Sequence, residues 1–328
     1  MVDSRYQFER TEVPVKEDVA KELGSLWEDI FKTDYSGMMG VLTGQESEFN
    51  TDVIYLARHK GRIVATTHLT VSRDDPRLGG FGEVATIAAH RGKGLARALS
   101  VEGAHEFDSL GGEALFLGTA NPIAAKLYAS LGWQRLVRTN VMLRTSVTLS
   151  PEEYLVDYFR DGAKLAVEVV VGSFRHRVPM IPLFVVPHRW VVLDAATSML
   201  SIHVGVQKSC MSLYPRYEAL DQRGSWFPAT RSDGAVVGLA SFQPVSATAA
   251  QIDAFSHWQT PVNLISDLYQ HAIDFAAMRG VGQIQIPCAE NDGLKQAVLA
   301  KLNMRSTEKM LQLEGGDGPM ALQLFEPA

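Results

Sequence analysis

The stretch ATIAAHRGKGLARAL, residues 85–99, leaves an apolar strand, turns at Ala89-His90, passes through Arg91-Gly92-Lys93-Gly94 and continues as a helix. A strand that delivers glycines into a helix start converges backbone N–H groups on one point. The first amides of a helix have no partner inside it, and the helix dipole adds partial positive charge there. Gly92 and Gly94 let an anion approach the main chain, and Arg91, Lys93 and Arg97 supply cations. The spacing fits neither the G-x-G-x-x-G dinucleotide fingerprint nor a Walker loop. The same residues also suit a plain glycine-containing helix start, so the neighbouring elements decide.

Working outward, residues 6–13 alternate as a strand, and 17–31 place Val19, Leu23, Leu26, Trp27 and Ile30 at helical spacing. A short helix is expected over 36–42. Strand-like runs at 53–58 and 63–71 are joined by a Lys60-Gly61 hairpin turn, and 81–88 is the strand that feeds the glycine turn. The helix at 92–107 stops at Gly111-Gly112. A strand at 114–118 follows, then a helix opened by Asn121 as cap and Pro122 at its first position, and then two closing strands within 133–144.

Arg91-x-x-Gly94-x-Ala96 after a strand resembles the R/Q-x-x-G-x-G/A signature of the GNAT superfamily of acyl-CoA-dependent N-acetyltransferases. NPIAAKLYASLGW, residues 121–133, is similar to the family's second motif through Ala125, Leu127, Tyr128 and Gly132-Trp133. The resemblance covers about residues 5–146. It implies that the amides of Gly92, Lys93, Gly94, Leu95 and Ala96, with Arg91, hold the diphosphate of acetyl-CoA as co-substrate. It also implies that backbone donors of Val84, Ala85 and Thr86 polarise the carbonyl, that Asn121 contacts the cofactor, and that Tyr128 is the general acid. Beside each role stands a plainer one: strand core for Val84 and Thr86, a helix cap for Asn121, and a core phenol on the face of Leu127 and Leu131 for Tyr128. Glu83, on the strand entering the site, suits an amine's proton as catalytic base and equally suits a solvated strand position; a bulge there would set which face it takes. His68 is a weaker candidate base, and His90 reads as a turn residue. Trp27, Phe31, Tyr35 and Met38 lie where the family's acceptors bind, but helix-spaced aromatics more often form core, so they carry no assignment.

In the second half, Ser150-Pro151-Glu152-Glu153 opens a helix to about 160. Strands are expected at 166–171, 211–220, 225–230, 235–243, 251–255, 282–287 and 309–313, and helical pieces at 178–186, 195–200, 263–278 and 292–302. Turns fall at Gln222-Arg223-Gly224 and Ser232-Asp233-Gly234. The order repeats the first half, so the chain reads as α/β (α+β), two tandem GNAT-like mixed-sheet domains: residues 1–148 with the acetyl-CoA site and 149–328 a degenerate copy. Where a second phosphate loop belongs stands SHWQTPVNLISDLY, without glycine or clustered cations, and the last helix lacks the tyrosine. His257, Trp258 and His271 suit either an acceptor cleft or ordinary surface, and Cys288 reads as an inert thiol more than as a nucleophile.

The 328 residues suffice for two domains, with 46% hydrophobic and 21% charged residues. The net charge of −6 gives nucleic-acid binding no support. Two distant cysteines without metal spacing point to a reducing, cytoplasmic compartment and no metal. A charged N-terminus without an apolar core points to no secretory signal, and no apolar run reaches membrane-spanning length. The expected function is acetyl transfer from acetyl-CoA to a small-molecule amine by direct attack. The alternatives are another nucleophile or acyl-CoA, or a non-catalytic acyl-CoA-binding module. Exposed sheet edges leave room for a homo-oligomer.

Overall fold

The computed structural model describes residues 4–160, 164–207, 210–211, 213–221, 225–261, 263–315 and 318–328. The chain divides into two compact units, Met1–Gln134 with Met142–Pro151, and Arg135–Val141 with Glu152–Ala328. Both are mixed α/β with a seven-stranded mixed sheet.

In the first unit β1 (Gln7–Glu12) leads to α1 (Glu17–Phe31), α2 (Met38–Leu42), β2 (Asn50–His59), β3 (Arg62–Ser72) and β4 (Leu78–Thr86). One 3-10 turn, Ala88–His90, precedes α3 (Leu95–Ser109), followed by β5 (Ala114–Gly118), α4 (Pro122–Ala129), β6 (Gln134–Arg135) and β7 (Val141–Thr145). The sheet order is β1-β2-β3-β4-β5-β7-β6. Lys60 and Gly61 both take positive φ, 52° and 82°, which closes the β2–β3 hairpin with the twist its strands need. α1 buries Ala20, Leu23, Gly24 and Trp27 on one face of the sheet, together with Ile54, Leu56 and Ala85. α3 covers the other face, where Leu95, Leu99 and Phe107 pack with Tyr55, Phe81 and Leu115. Each such side chain contributes about 2–3 kcal/mol on burial. The turn after α3 needs glycine for space: a Cβ on Gly112 would lie 2.3 Å from the Phe107 ring.

The second unit continues with α5 (Pro151–Phe159), β8 (Val167–Val169), a 3-10 turn at Phe174–His176, α6 (Ile181–Val185), β9 (Val192–Asp194), β10 (Met199–Leu200) and α7 (Leu213–Asp221). Then come β11 (Ser225–Arg231), β12 (Val236–Pro244), β13 (Ala249–Ser256), α8 (Leu264–Met278), β14 (Gln283–Ala289), α9 (Gly293–Lys301), β15 (Met304–Gly315) and β16 (Gly318–Pro327). Its order, read from β8, is β8-β11-β12-β13-β14-β16-β15, the first sheet's order repeated. In each sheet a parallel pair interrupts the antiparallel ladders: β4 with β5, and β13 with β14.

Two readings of this half are corrected. Residues 195–200 are not helical. They are the turn and second strand of a β9–β10 hairpin, in which Asp194 Oδ1 accepts from the Ala196 amide at 2.9 Å and Ser198 takes φ 54°. Residues 211–220 are no strand but enter α7, whose Leu213, Tyr214, Tyr217 and Leu220 are buried at helical spacing. β16 was not foreseen. The helix expected over 178–186 shortens to α6, and the turn at Gln222-Arg223-Gly224 lies outside the described residues. Among the described residues no helix is long and apolar enough to cross a membrane.

Candidate active site

The site grows from an irregularity in β4. Thr66 pairs with Ala85 and His68 with Gly82, so Glu83 and Val84 together stand opposite the single residue Thr67. That is a β-bulge, and Glu83 carries its strain at φ 46°. The bulge reverses the alternation of the strand. Phe81 packs on the α3 face, yet Ala85, four residues on, packs on the α1 face.

The bulge brings the Glu83 carboxylate to His68. Thr66, His68 and Thr70 share one face of β3, and Asp52 of β2 pairs with Thr70. His68 Nδ1 lies 2.9 Å from Glu83 Oε2, and Nε2 lies 2.7 Å from Asp52 Oδ1, which also accepts from Thr70 Oγ1 at 2.6 Å. His68 and Asp52 are buried, while the Glu83 side chain keeps 17% exposure. Burial alone would push the imidazole down. The hydrogen bonds and charges of Asp52 and Glu83 outweigh it and hold His68 up at about 9, so it is an imidazolium between two carboxylates at neutral pH. Trp27 Nε1 donates to Thr66 Oγ1 at 2.9 Å, and Thr66 in turn donates to the Glu83 carbonyl at 2.6 Å, which pins the bulge from the α1 side.

β4 and β5 pair only over Leu78–Gly80, so from Phe81 onward β4 has no ladder on its β5 side. Val84, Ala85 and Thr86 lie on this freed edge; Ala85 is buried and the other two are half-buried. The edge runs into the exposed turn Arg91-Gly92-Lys93-Gly94. Gly92 and Gly94 take φ 74° and 77°, and nothing lies within 4 Å of where their Cβ atoms would be. Leu95 and Ala96 begin α3, whose Ala98 amide is the one that reaches the Gly94 carbonyl, at 3.0 Å. Arg91 Nε is held by the Thr86 carbonyl at 3.0 Å. Lys93 leans away from the turn: its Nζ donates to the Tyr6 hydroxyl at 3.0 Å, and that hydroxyl bonds His90 Nδ1 at 2.9 Å.

Tyr128 of α4 is 7% exposed and packs edge-on against Trp133. Its hydroxyl has no hydrogen-bond partner among the described residues. Burial first, and the Glu83 charge second, raise the phenol above its usual range, so it stays protonated. The same two causes raise Tyr35, at the α1–α2 side, so Glu83 is electrostatically near both phenols. Asn121 caps α4, its Oδ1 accepting from the Ile123 amide at 2.9 Å. Phe31 and Tyr35 stack at 5.7 Å beside the buried Trp27. The structure therefore gathers Glu83, Tyr128, the freed β4 edge and the glycine turn in one unit. Sequence reasoning did not find Asp52 and Thr70. Counting back from the Lys60-Gly61 turn sets Asp52 opposite Leu69, one residue off, because Val64 is an extra residue in the ladder.

Residues 18–133 match the sequence model described as the acetyltransferase (GNAT) family. This segment is a GNAT domain. Among solved structures, a tandem GNAT protein from the clavulanic acid biosynthesis pathway, solved without acetyl-CoA, is similar over 98% of this chain and 98% of its own, at 14% identity and a TM-score of 0.36. A GNAT-family acetyltransferase from Staphylococcus aureus Mu50 is similar over 42% of this chain and 99% of its own, at 15% identity and a TM-score of 0.35. One from Elizabethkingia anophelis, solved with acetyl-CoA bound, is similar over 35% of this chain and 81% of its own, at 13% identity and a TM-score of 0.28. No curated protein matches the chain.

The second unit lacks the chemistry of the GNAT domain at two matching positions. β13 meets β14 only over residues 249–251, as β4 meets β5 over three residues, but the β12–β13 register runs without a bulge. Counted from the first parallel pair, Ala254 stands where the GNAT domain has Glu83. Seven residues past the Asp292 cap of α9, the buried Leu299 stands where Tyr128 is seven past Asn121. The neighbouring Asp253 is consumed internally. It accepts from Lys295 Nζ at 2.6 Å and from the Ala195 amide at 2.9 Å, with both charged side chains wholly buried. Lys295 also donates to the Val192 carbonyl of β9 at 3.2 Å, and Val192 and Ala195 bury against Ala289, Leu313 and Leu322. Cys288 is buried, which pushes its thiol up to about 12 and leaves it inert at neutral pH.

Proposed function

We propose that the GNAT domain transfers an acetyl group from acetyl-CoA to the primary amine of a small molecule by direct attack, and that the second unit holds no coenzyme A. The observation that carries this reading is the bulged β4, which presents a carboxylate and a free strand edge at the head of a glycine turn. The turn fits a diphosphate because both glycines leave open space where side chains would stand, before the unpartnered amides of α3. Acetyl-CoA, when bound, supplies a thioester-activated acyl group. The chain supplies the rest. Backbone donors among Val84, Ala85 and Thr86 meet the carbonyl oxygen as its charge grows. Glu83 Oε1, whose fellow oxygen is held by His68, takes the amine's proton. The protonated Tyr128 hydroxyl gives a proton to the departing sulfur. The amine approaches from the α1–α2 side, where Tyr35 feels the Glu83 charge and Phe31 stacks on Tyr35. His68, itself positively charged, fixes the carboxylate without exchanging the substrate's proton.

Thiol release from acetyl-CoA, measured across a panel of aliphatic and aryl amines, tests this. Glu83→Gln should lower kcat/KM for the accepted amine by about 10²–10⁴-fold at pH 7.5 while leaving acetyl-CoA affinity within about twofold. A wild-type protein that acetylates no amine, or a variant with an unchanged rate, would overturn it.

A further inference from the structure

The second unit keeps a cavity at the end of β13, the strand that corresponds to β4 of the GNAT domain. The cavity measures about 300 Å³, at the small end for ligand sites. Its floor is apolar and buried, with Leu155, Val185, Val186 and Ile202 each at most 5% exposed. Its rim is apolar and open: Val137, Val156 and Trp258 are each more than half exposed. Exposed apolar groups gathered around a concave apolar floor mark a binding surface more than a packing defect. Nothing in the reactions above uses it.

Two polar groups set what enters. His257 is 4% exposed and lies flat on Phe159, ring centres 4.0 Å apart. Its Nδ1 accepts from the Gln259 amide at 3.3 Å, which places the ring proton on Nε2. Burial, helped by the charges of His188 and Arg231, pushes this imidazole down to about 3, so it is neutral at physiological pH. Nε2–H has no acceptor among the described residues. Gln259 lines the same cavity, and its Oε1 is buried without a partner. A buried carbonyl oxygen with nothing to accept from is costly, and a ligand N–H relieves it. The site therefore offers one donor and one acceptor inside an apolar pocket. The one charged side chain of the lining is the exposed Glu152. A carboxylate has no N–H for Gln259 Oε1, and Glu152 opposes it at the mouth; Arg231 is neutralised by Asp233, and Arg189 lies over the Trp258 ring at the rim.

We infer that this cavity binds a small neutral carboxamide with an apolar body, its carbonyl accepting from His257 Nε2–H and its N–H donating to Gln259 Oε1. The aliphatic floor takes the apolar body, and Trp258 closes over it at the rim. A carboxylate, a bare hydrocarbon or a tertiary amide each fails one part of that match.

The probe is benzamide, titrated calorimetrically into the full chain, with N,N-dimethylbenzamide, benzoate and toluene as comparisons. Benzamide has nine non-hydrogen atoms by its formula and is expected to bind at about 1 mM. Each comparison compound should bind about tenfold more weakly, since each forfeits a hydrogen bond or buries a charge. Gln259→Leu and His257→Phe should each weaken benzamide about tenfold and leave coenzyme A binding unchanged. Gln259→Leu is near the surface and keeps the test open if the His257 variant fails to fold. NMR of the wild-type protein should show the His257 ring nitrogens and the Trp258 indole shifting together on addition of benzamide. No benzamide binding at 10 mM (about ten times the expected Kd), equal binding of toluene, or unchanged affinity in Gln259→Leu would overturn the assignment.

Discussion

Replacing His68 by glutamine removes the positive charge at the centre of Asp52–His68–Glu83 and keeps a hydrogen-bonding side chain of similar size. His68 is wholly buried, and its partners hold it at about 9. An unfolded histidine titrates near 6.5, so the charged form gains about 3 kcal/mol on folding. Because the folded value lies above the unfolded one, that contribution is fully present below pH 6.5 and is lost as the pH rises through about 9. The assay is urea unfolding at pH 6, 7.5 and 9.5 (conditions spanning about the window fixed by linkage), wild type against His68→Gln. The wild type should lose about 3 kcal/mol more than the variant across that span. The variant should also be about 2–4 kcal/mol less stable at pH 6, because Asp52 is left as a buried carboxylate without its cation. A ring-nitrogen NMR titration of His68 should place its midpoint near 9. Parallel stability curves, or a midpoint near 6.5, would show that His68 is neutral in the fold and would remove the charged clamp from Glu83.

Tyr128→Phe should slow turnover about 10- to 1,000-fold with acetyl-CoA affinity unchanged, since in the proposed reaction the phenol gives a proton and does not hold the cofactor; an unchanged rate removes it from the chemistry. Lys295→Met leaves the Asp253 carboxylate buried without its cation and should cost about 3–5 kcal/mol in denaturant unfolding. Adding Asp253→Asn to that variant should restore part of the loss; no restoration would mean that Lys295 acts through its packing and its bond to the Val192 carbonyl and not through the Asp253 charge.

The first unit was legible because its elements carry both pattern and punctuation. α1 is bounded as its apolar spacing predicts, and β5 spans the expected 114–118. The second unit was harder where local propensity and tertiary demand disagree. Tyr214 and Tyr217 favour strand and Pro215 disfavours a helix interior, yet Pro215 falls in the first turn of α7, where its missing N–H costs nothing. The alanines of residues 195–200 favour helix, yet the Asp194 side chain captures the turn and buried Asp253 takes the Ala195 amide. The repeat was visible as an order of elements, but its completion by β16 depends on pairing with β14 and β15 from across the unit. Within the site, the glycine turn and Tyr128 announce themselves by spacing. The bulge at Glu83 and the contact of Asp52 with His68 do not, because each arises from a one-residue slip in a ladder.

The proposed reaction requires one coenzyme A site per chain, at the glycine turn of the GNAT domain. Calorimetric titration of the full chain with coenzyme A and with acetyl-CoA tests it most directly, with Gly94→Glu as the control. Nothing lies within 4 Å of the Gly94 Cβ position, so a glutamate there meets open space, though at φ 77° it carries backbone strain. Its carboxylate would face the diphosphate. One site per chain is expected in the wild type and none in the variant. Two sites per chain, or one that survives Gly94→Glu in a folded protein, would contradict it.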